Sequence, residues 1–145
     1  MRILYDTSVL IPAFISGHDN HSLSFPQVEL ANRDDTQGYL SAHSLAEFYS
    51  STTGIPKPLK ITPVEAQATI VRFLKYLVPV ELSAVDYREA ISRVTMQGLS
   101  GGVMYDAVIA QAALKAKVDR LVTLNPKDFV RLGNEVAEIV YVPEG

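Results

Sequence analysis

Three acidic residues, far apart in the chain, each lie where a short apolar run gives way to the start of a helix. They are Asp6, Glu47 and Asp106. If the apolar runs are neighbouring parallel strands, the three carboxylates meet at the carboxyl edge of one sheet, where α/β proteins bind ligands. Carboxylates crowded together at neutral pH repel one another unless a divalent cation binds them. The spacing therefore predicts a site for Mg²⁺ or Mn²⁺.

Each acid also has a purely structural interpretation. Asp6 can accept backbone N–H bonds in a turn, and Glu47 can complete a capping box with Ser44. Asp106 can lie in the first turn of a helix, where the helix dipole favours a negative charge, and Asp128 can be read in the same way. The functional interpretation rests on the joint placement of the acids, which capping roles would produce only by coincidence.

The elements that must position these acids alternate between strands and helices. Strands are predicted at 2–5, 39–42, 78–82, 121–123 and 139–142, and helices after Asp6 and at 21–35, 44–53, 62–77, 83–97, 106–117 and 126–132. This order predicts an α/β fold with a parallel sheet of about five strands and helices on both faces. The whole chain, 1–145, is expected to form a single domain.

Composition excludes several classes of site. The 145 residues include no cysteine, so disulfides and thiolate zinc sites are excluded. A net charge of −3 argues against non-specific nucleic-acid binding by counterion release alone, but not against a nuclease. The apolar stretch at 70–82 carries charged residues and is too short to cross a bilayer, so we expect a cytoplasmic protein without a membrane association.

Four sequence blocks carry a resemblance to a known family. They are ILYDTSVLI at 3–11, AHSLAEFYS at 42–50, GGVMYDAVIAQAAL at 101–114 and LVTLNPKDF at 121–129. Together they resemble the PIN-domain family, in particular the VapC-type toxin ribonucleases of toxin–antitoxin pairs. The resemblance extends over essentially the whole chain and implies a PIN-like nuclease domain that hydrolyses RNA phosphodiester bonds with the help of Mg²⁺ or Mn²⁺.

The resemblance assigns roles to individual residues. Asp6, Glu47 and Asp106 would be the acidic metal-binding triad, and Thr7 or Ser8 would help to hold the first carboxylate or a bound water. Many members have a fourth acid in the last block, where this chain offers two candidates, Asn125 and Asp128. A neutral amide oxygen at that position would weaken a second metal, so one-metal and two-metal sites both stay open.

Further residues are candidates for contacts with RNA. Thr123 and Asn125 lie at the same predicted sheet edge and could contact phosphate or the 2′-hydroxyl, or else cap the next helix. Four basic side chains are candidates for contacts with the RNA backbone: Lys57, Lys60, Lys127 and Arg131.

The resemblance also implies protein partners. Proteins of this type commonly form homodimers and are silenced by a small antitoxin whose tail lies in the active-site groove. The helix pair at 44–77 resembles the clamp that such antitoxins grip, with Phe48 and Tyr49 as candidate contacts, although aromatic residues there more often belong to a core.

Two other functions remain open on the sequence. A phosphatase could use Asp6 as a nucleophile, but haloacid-dehalogenase-like phosphatases have a second Asp two residues later, where this chain has Ser8. A PIN-like scaffold could bind RNA or a partner without cutting, with little or no catalytic activity. The three core acids argue against the scaffold, and the uncertain fourth acid favours it slightly.

Overall fold

A five-stranded parallel sheet forms the centre of the molecule. The computed structural model describes residues 1–144. The strands lie in the order β3-β2-β1-β4-β5, and every neighbouring pair is parallel. They are β1 (Arg2–Tyr5), β2 (Gln37–Ser41), β3 (Leu77–Val80), β4 (Arg120–Val122) and β5 (Val140–Tyr141). The predicted fold class is confirmed.

Helices connect the strands. They are α1 (Thr7–Ala13), α2 (His21–Glu29), α3 (Ala42–Gly54), α4 (Pro63–Phe73), α5 (Ala84–Met96), α6 (Val103–Lys115), α7 (Pro126–Val130) and α8 (Asn134–Ala137), with a 3₁₀ turn at Leu30–Asn32. Among residues 1–144, no helix is both long enough and apolar enough to cross a membrane.

Several helix boundaries differ from the predicted ones. The helix predicted at 62–77 ends at Phe73, because the buried Leu77 already begins β3. The helices predicted to begin at Ser44 and Asp106 begin earlier, at Ala42 and Val103. Each earlier start places its acid further inside the helix than the sequence pattern suggested.

The sheet is covered on both faces, and alternate residues of each strand point to opposite sides. On one side Leu4 and Leu121 pack with apolar side chains of α5, α6, α7 and α8. On the other side Ile3 and Val122 pack with side chains of α1, α2, α3 and α4, including the fully buried Phe48. Strands buried on both faces in this way are characteristic of parallel sheets.

Gly38 in β2 allows a close approach between neighbouring elements. A Cβ atom at this position would lie 2.5 Å from both the Ala31 Cβ and the Leu77 Cδ2, closer than real Cβ contacts. A glycine inside a strand often marks such an approach. It lets the 3₁₀ turn pack tightly against the β2–β3 pair, which fixes β2 and hence the start of α3.

Candidate active site

The predicted acids lie at the carboxyl edge of the sheet. Asp6 follows β1 directly, and its backbone N–H donates to the Val122 carbonyl at 2.9 Å, which extends the contact between β1 and β4. Glu47 lies in α3, the helix that follows β2 on the other side of β1. Asp106 lies in the first turn of α6. Asp6 and Glu47 are both close enough to raise the pKa of Asp106 by their charge, so the three carboxylates share one edge of the sheet.

Two hydroxyl groups fix the carboxylate of Asp6, which is only 6% exposed. The Ser8 Oγ and the Thr123 Oγ1 donate to its Oδ2 at 2.7 and 2.8 Å. Each hydroxyl also accepts a backbone N–H, from Leu124 at 3.0 Å and from Asn125 at 2.9 Å. Because these N–H groups occupy hydroxyl lone pairs, the hydroxyl protons are directed at Asp6. Burial raises the pKa of Asp6, and the two hydroxyls partly offset that rise.

We expect Thr123→Val to lower the free energy of unfolding by about 1–3 kcal/mol, because a buried carboxylate would lose one of its two hydroxyl donors. Valine keeps the shape of the fully buried threonine side chain, so the packing should change little. Urea unfolding at neutral pH would measure the loss. Thr53→Val is the matched control, since the Thr53 hydroxyl donates to a carbonyl at an exposed position. Equal losses in the two variants would contradict the role of Thr123.

Glu47 is not a helix cap. The N-cap of α3 is Ser41, and its side chain makes no capping hydrogen bond. The Ser44 hydroxyl, predicted to form a capping box with Glu47, is buried and accepts a hydrogen bond from the Thr7 Oγ1 at 3.1 Å. The capping interpretation of Glu47 is therefore wrong. The same bond shows that the Thr7 hydroxyl ties α1 to α3, whereas its backbone and the Ser8 hydroxyl bind the Asp6 carboxylate.

The carboxylate of Glu47 is incompletely satisfied. Its Oε1 is buried, and its one close polar neighbour among the described residues is the His43 Nε2, one helical turn earlier. That nitrogen lies 3.3 Å from the Oε1, in a geometry that does not make a hydrogen bond. Burial raises the pKa of Glu47, the nearby His43 lowers it, and the charge of Asp6 raises it. The Oε1 atom is thus an acceptor that a cation or a water molecule would satisfy.

The pKa of Asp106 is strongly raised. Burial and the charges of Asp128 and Asp6 raise the pKa from 3.8 to about 6, Arg131 lowers it, and Glu47 adds a further rise. Like charges that share a site have this effect, because each makes ionisation of the next more difficult. Such a cluster is typical of sites that bind a cation or exchange protons.

The side chain of Asp128 lies near that of Asp106. The Nη2 of Arg131 lies 3.9 Å from Oδ2 of Asp106 and 3.6 Å from Oδ1 of Asp128. Asn125 is exposed at the start of α7, and its backbone N–H is the group that binds Thr123. The fourth acidic side chain at this edge of the sheet is therefore that of Asp128.

The other residues predicted to contact RNA or a partner have mixed outcomes. Arg131 lies beside the acids. The other basic candidates are exposed: Lys57 and Lys60 lie in the loop between α3 and α4, and Lys127 lies in α7. Phe48 is fully buried in the core, so its predicted role in contacting a partner is wrong. Tyr49, on the same helix, is 41% exposed.

An aromatic pair at this site was missed by the sequence analysis. The rings of His43 and Tyr105 are stacked, with centroids 5.6 Å apart and planes 13° from parallel. Tyr105 precedes Asp106 in the chain, and His43 lies one helical turn before Glu47. The spacing of each residue from its neighbouring acid was visible in the sequence, but the contact depends on how α3 and α6 are placed in the fold.

The donor set fits a hard divalent cation. Carboxylate oxygens are the ligands that Mg²⁺ and Mn²⁺ prefer, and the unsatisfied Oε1 of Glu47 adds an oxygen acceptor. In the described part of the chain, no three His, Cys, Asp or Glu side chains lie close enough to enclose a metal ion together. Mg²⁺ usually binds one or two carboxylates directly and keeps several waters, so wider spacing of the other acids is compatible with it.

Comparisons with known proteins identify relatives by sequence and by fold. A family model of the PIN domain matches residues 3–135. Ribonuclease VapC40 of Mycobacterium tuberculosis is 33% identical over 120 residues, which cover 81% of this chain and 82% of that protein. The structure of VapBC2 from Rickettsia felis, bound to a DNA fragment from their promoter, matches with a TM-score of 0.70 at 23% identity, over 99% of this chain and 100% of that chain. VapC20 of M. tuberculosis, described as a sarcin-ricin loop cleaving toxin, matches with a TM-score of 0.63 at 18% identity, over 82% and 86%.

Proposed function

This chain belongs to the PIN domain family, and from that membership we propose that it is a metal-dependent endoribonuclease and the toxin of a toxin–antitoxin pair. The relative VapC40 is named a ribonuclease, and VapC20 is described as a sarcin-ricin loop cleaving toxin. The observation that carries the proposal is the cluster of acids around Asp106, whose pKa is raised by burial and by neighbouring carboxylates. That electrostatic environment suits a bound cation and a phosphodiester substrate.

Asp6, Glu47 and Asp106 would hold the Mg²⁺ or Mn²⁺, and Asp128 would be the fourth acid. When bound, the cation supplies a nucleophile at neutral pH by lowering the pKa of a water, and it neutralises charge on the phosphate. The chain's own groups orient the reaction. Ser8 and Thr123 set the direction of the Asp6 carboxylate, as their short hydrogen bonds indicate.

Two further groups have roles that follow from their contacts. The Oε1 of Glu47 lies 3.3 Å from the His43 Nε2 without a hydrogen bond, so it could accept a hydrogen bond from the attacking water, which would orient that water toward the phosphorus. Arg131 makes only long contacts with Asp106 and Asp128, so its guanidinium can turn to a phosphate oxygen when a cation replaces it beside the acids.

The phosphatase alternative lacks an acid where it needs one. Ser8 stands at the position of the second Asp in haloacid-dehalogenase-like phosphatases, and its hydroxyl proton is directed at Asp6. A serine hydroxyl with that partner is a poor general acid for a departing alcohol. We therefore favour hydrolysis by water over a covalent intermediate on Asp6.

The antitoxin partner and the homodimer are part of the same proposal. The fold match to VapBC2 supports the partner. On the chain itself, α3 and α4 expose apolar side chains on one surface, with Tyr49 and Val64 around a shallow hollow. Co-expression with the protein encoded beside this chain, followed by size-exclusion chromatography of the complex and of the chain alone, would test both assemblies.

Cleavage of labelled RNA tests the activity. The parent protein should cut RNA with added Mg²⁺ or Mn²⁺ and should stop when EDTA is added. Asp6→Asn should not cut, whereas Asp34→Asn should cut like the parent because Asp34 is exposed just before β2, at the opposite edge of the sheet. Equal cutting by parent and Asp6→Asn would indicate a contaminating nuclease and would reject the proposal. Phosphate release from a small monoester that depends on Asp6 would favour the phosphatase instead.

A further inference from the structure

The stacked pair of His43 and Tyr105 presents an aromatic surface beside the acids. Tyr105 is 60% exposed although its ring lies parallel to that of His43. Tyr105 is joined directly to Asp106, and His43 lies 3.3 Å from the Glu47 carboxylate. The pair therefore borders the acid cluster and links the two helices, α3 and α6, that carry two of its members.

Core packing does not account for this arrangement. An aromatic ring that served mainly to hold two helices together would be buried, as Phe48 is, in edge-to-face contact with the rings of Phe14 and Phe73. His43 covers one face of Tyr105 and sets its orientation, and the high exposure of Tyr105 leaves area for a second flat group. A flat, fixed and solvated ring of this kind is the usual stacking surface for an unpaired nucleobase.

We propose that Tyr105, supported by His43, is a stacking platform for a base of the RNA next to the phosphodiester that is cut. This inference rests on the proposed ribonuclease function and adds a requirement to it. A base can stack on Tyr105 only when it is free of its own neighbours, so the site would select unpaired nucleotides. The platform holds the substrate by its base while the acids act at the backbone, and Tyr105 is a binding residue rather than a catalytic one.

Steady-state cleavage of a short single-stranded RNA tests the platform. We expect Tyr105→Ala to raise KM about 5- to 100-fold, the range that follows from losing one base stack, with a smaller change in kcat. Tyr105→Phe should retain the parent KM, because the ring and not the hydroxyl provides the stacking. Tyr87→Ala is the matched control, since Tyr87 is similarly exposed on α5, away from the acids.

Substrates that lack single bases separate stacking from a structural role. After the cut position has been mapped, an abasic nucleotide is placed in turn on each side of it. At one of these positions, the parent protein should have a higher KM for the abasic RNA than for the intact RNA, by the same factor that Tyr105→Ala raises KM for the intact RNA. The Tyr105→Ala protein should have the same KM for the abasic RNA as for the intact RNA. An unchanged KM for Tyr105→Ala in a protein that cuts RNA would overturn the platform alone. Absence of metal-dependent cutting by the parent would overturn the proposed function, and the platform with it.

Discussion

The Asp106→Asn protein should cleave RNA at least about a hundredfold more slowly than the parent, yet it should be the more stable of the two. Even groups that only support metal ligands typically contribute 10- to 100-fold to activity, so the loss of a proposed ligand should exceed that range. The gain in stability follows from the electrostatics. Asp106 is ionised in the fold although it is partly buried and lies near the charges of Asp128 and Asp6, and asparagine removes both the cost of burying the charge and the repulsion.

The stability difference should depend on pH in a defined direction. The folded protein binds a proton at Asp106 with a pKa of about 6, above the ordinary value of 3.8. Ionisation of this group therefore favours the unfolded chain as the pH rises through that interval. Relative to the parent, the variant should gain on the order of 1–3 kcal/mol above about pH 6, and the gain should vanish below about pH 4.

Urea unfolding in metal-free buffer, repeated across this pH range, would measure the difference. Asp34→Asn serves as the control and should follow the parent throughout, because Asp34 is exposed at the other edge of the sheet. If Asp106→Asn were less stable than the parent at neutral pH, the carboxylate would be a structural ion-pair member and not a member of a repulsive cluster.

Adding Mn²⁺ to the parent should raise its melting temperature, and this effect should weaken sharply below about pH 6. A cation bound by Asp106 must compete with the proton that this residue takes up. At a Mn²⁺ concentration below saturation, both the thermal shift and the cleavage rate should therefore fall as the pH is lowered from 7 to 5. The rate should approach a decline of roughly tenfold per pH unit, and more Mn²⁺ should restore it.

Differential scanning fluorimetry and initial cleavage rates would follow the two effects in parallel. Asp6→Asn provides the comparison, because it removes a proposed ligand while leaving Asp106 in place, and its melting temperature should respond little to Mn²⁺ at any pH. A thermal shift of the parent that is unchanged between pH 5 and 7 would show that the cation binds elsewhere.

Residues placed by local pattern were predicted well from the sequence. Asp6 follows β1 as expected, and the Thr62 hydroxyl accepts the Glu65 N–H at the start of α4. The helix predicted to start at Ser83 is α5, and Ser83 and Asp86 form a capping box at its start. Each of these features depends on a few consecutive residues, so the sequence contains the information that determines it.

Features that depend on distant contacts were not predictable in the same way. Ser44 and Glu47 have the spacing of a capping box, but α3 begins at Ala42, and Ser44 points to Thr7 instead. Thr123 seemed available to RNA, yet its hydroxyl is used by Asp6. Its pairing becomes visible only once β1 and β4 are known to be neighbours.

The hydrogen bond between Thr123 and Asp6 also determines when the site can form during synthesis of the chain. Thr123 lies 117 positions after the carboxylate that it orients, and β4, the strand that leads to it, is one of the two partners of β1. During synthesis from the amino end, a growing chain carries Asp6 long before it carries Thr123, the second hydroxyl donor, and β4, one of the two neighbours of β1. The arrangement can form only when translation has passed residue 123, so prematurely terminated chains would contain the acids without the geometry that orients the first of them.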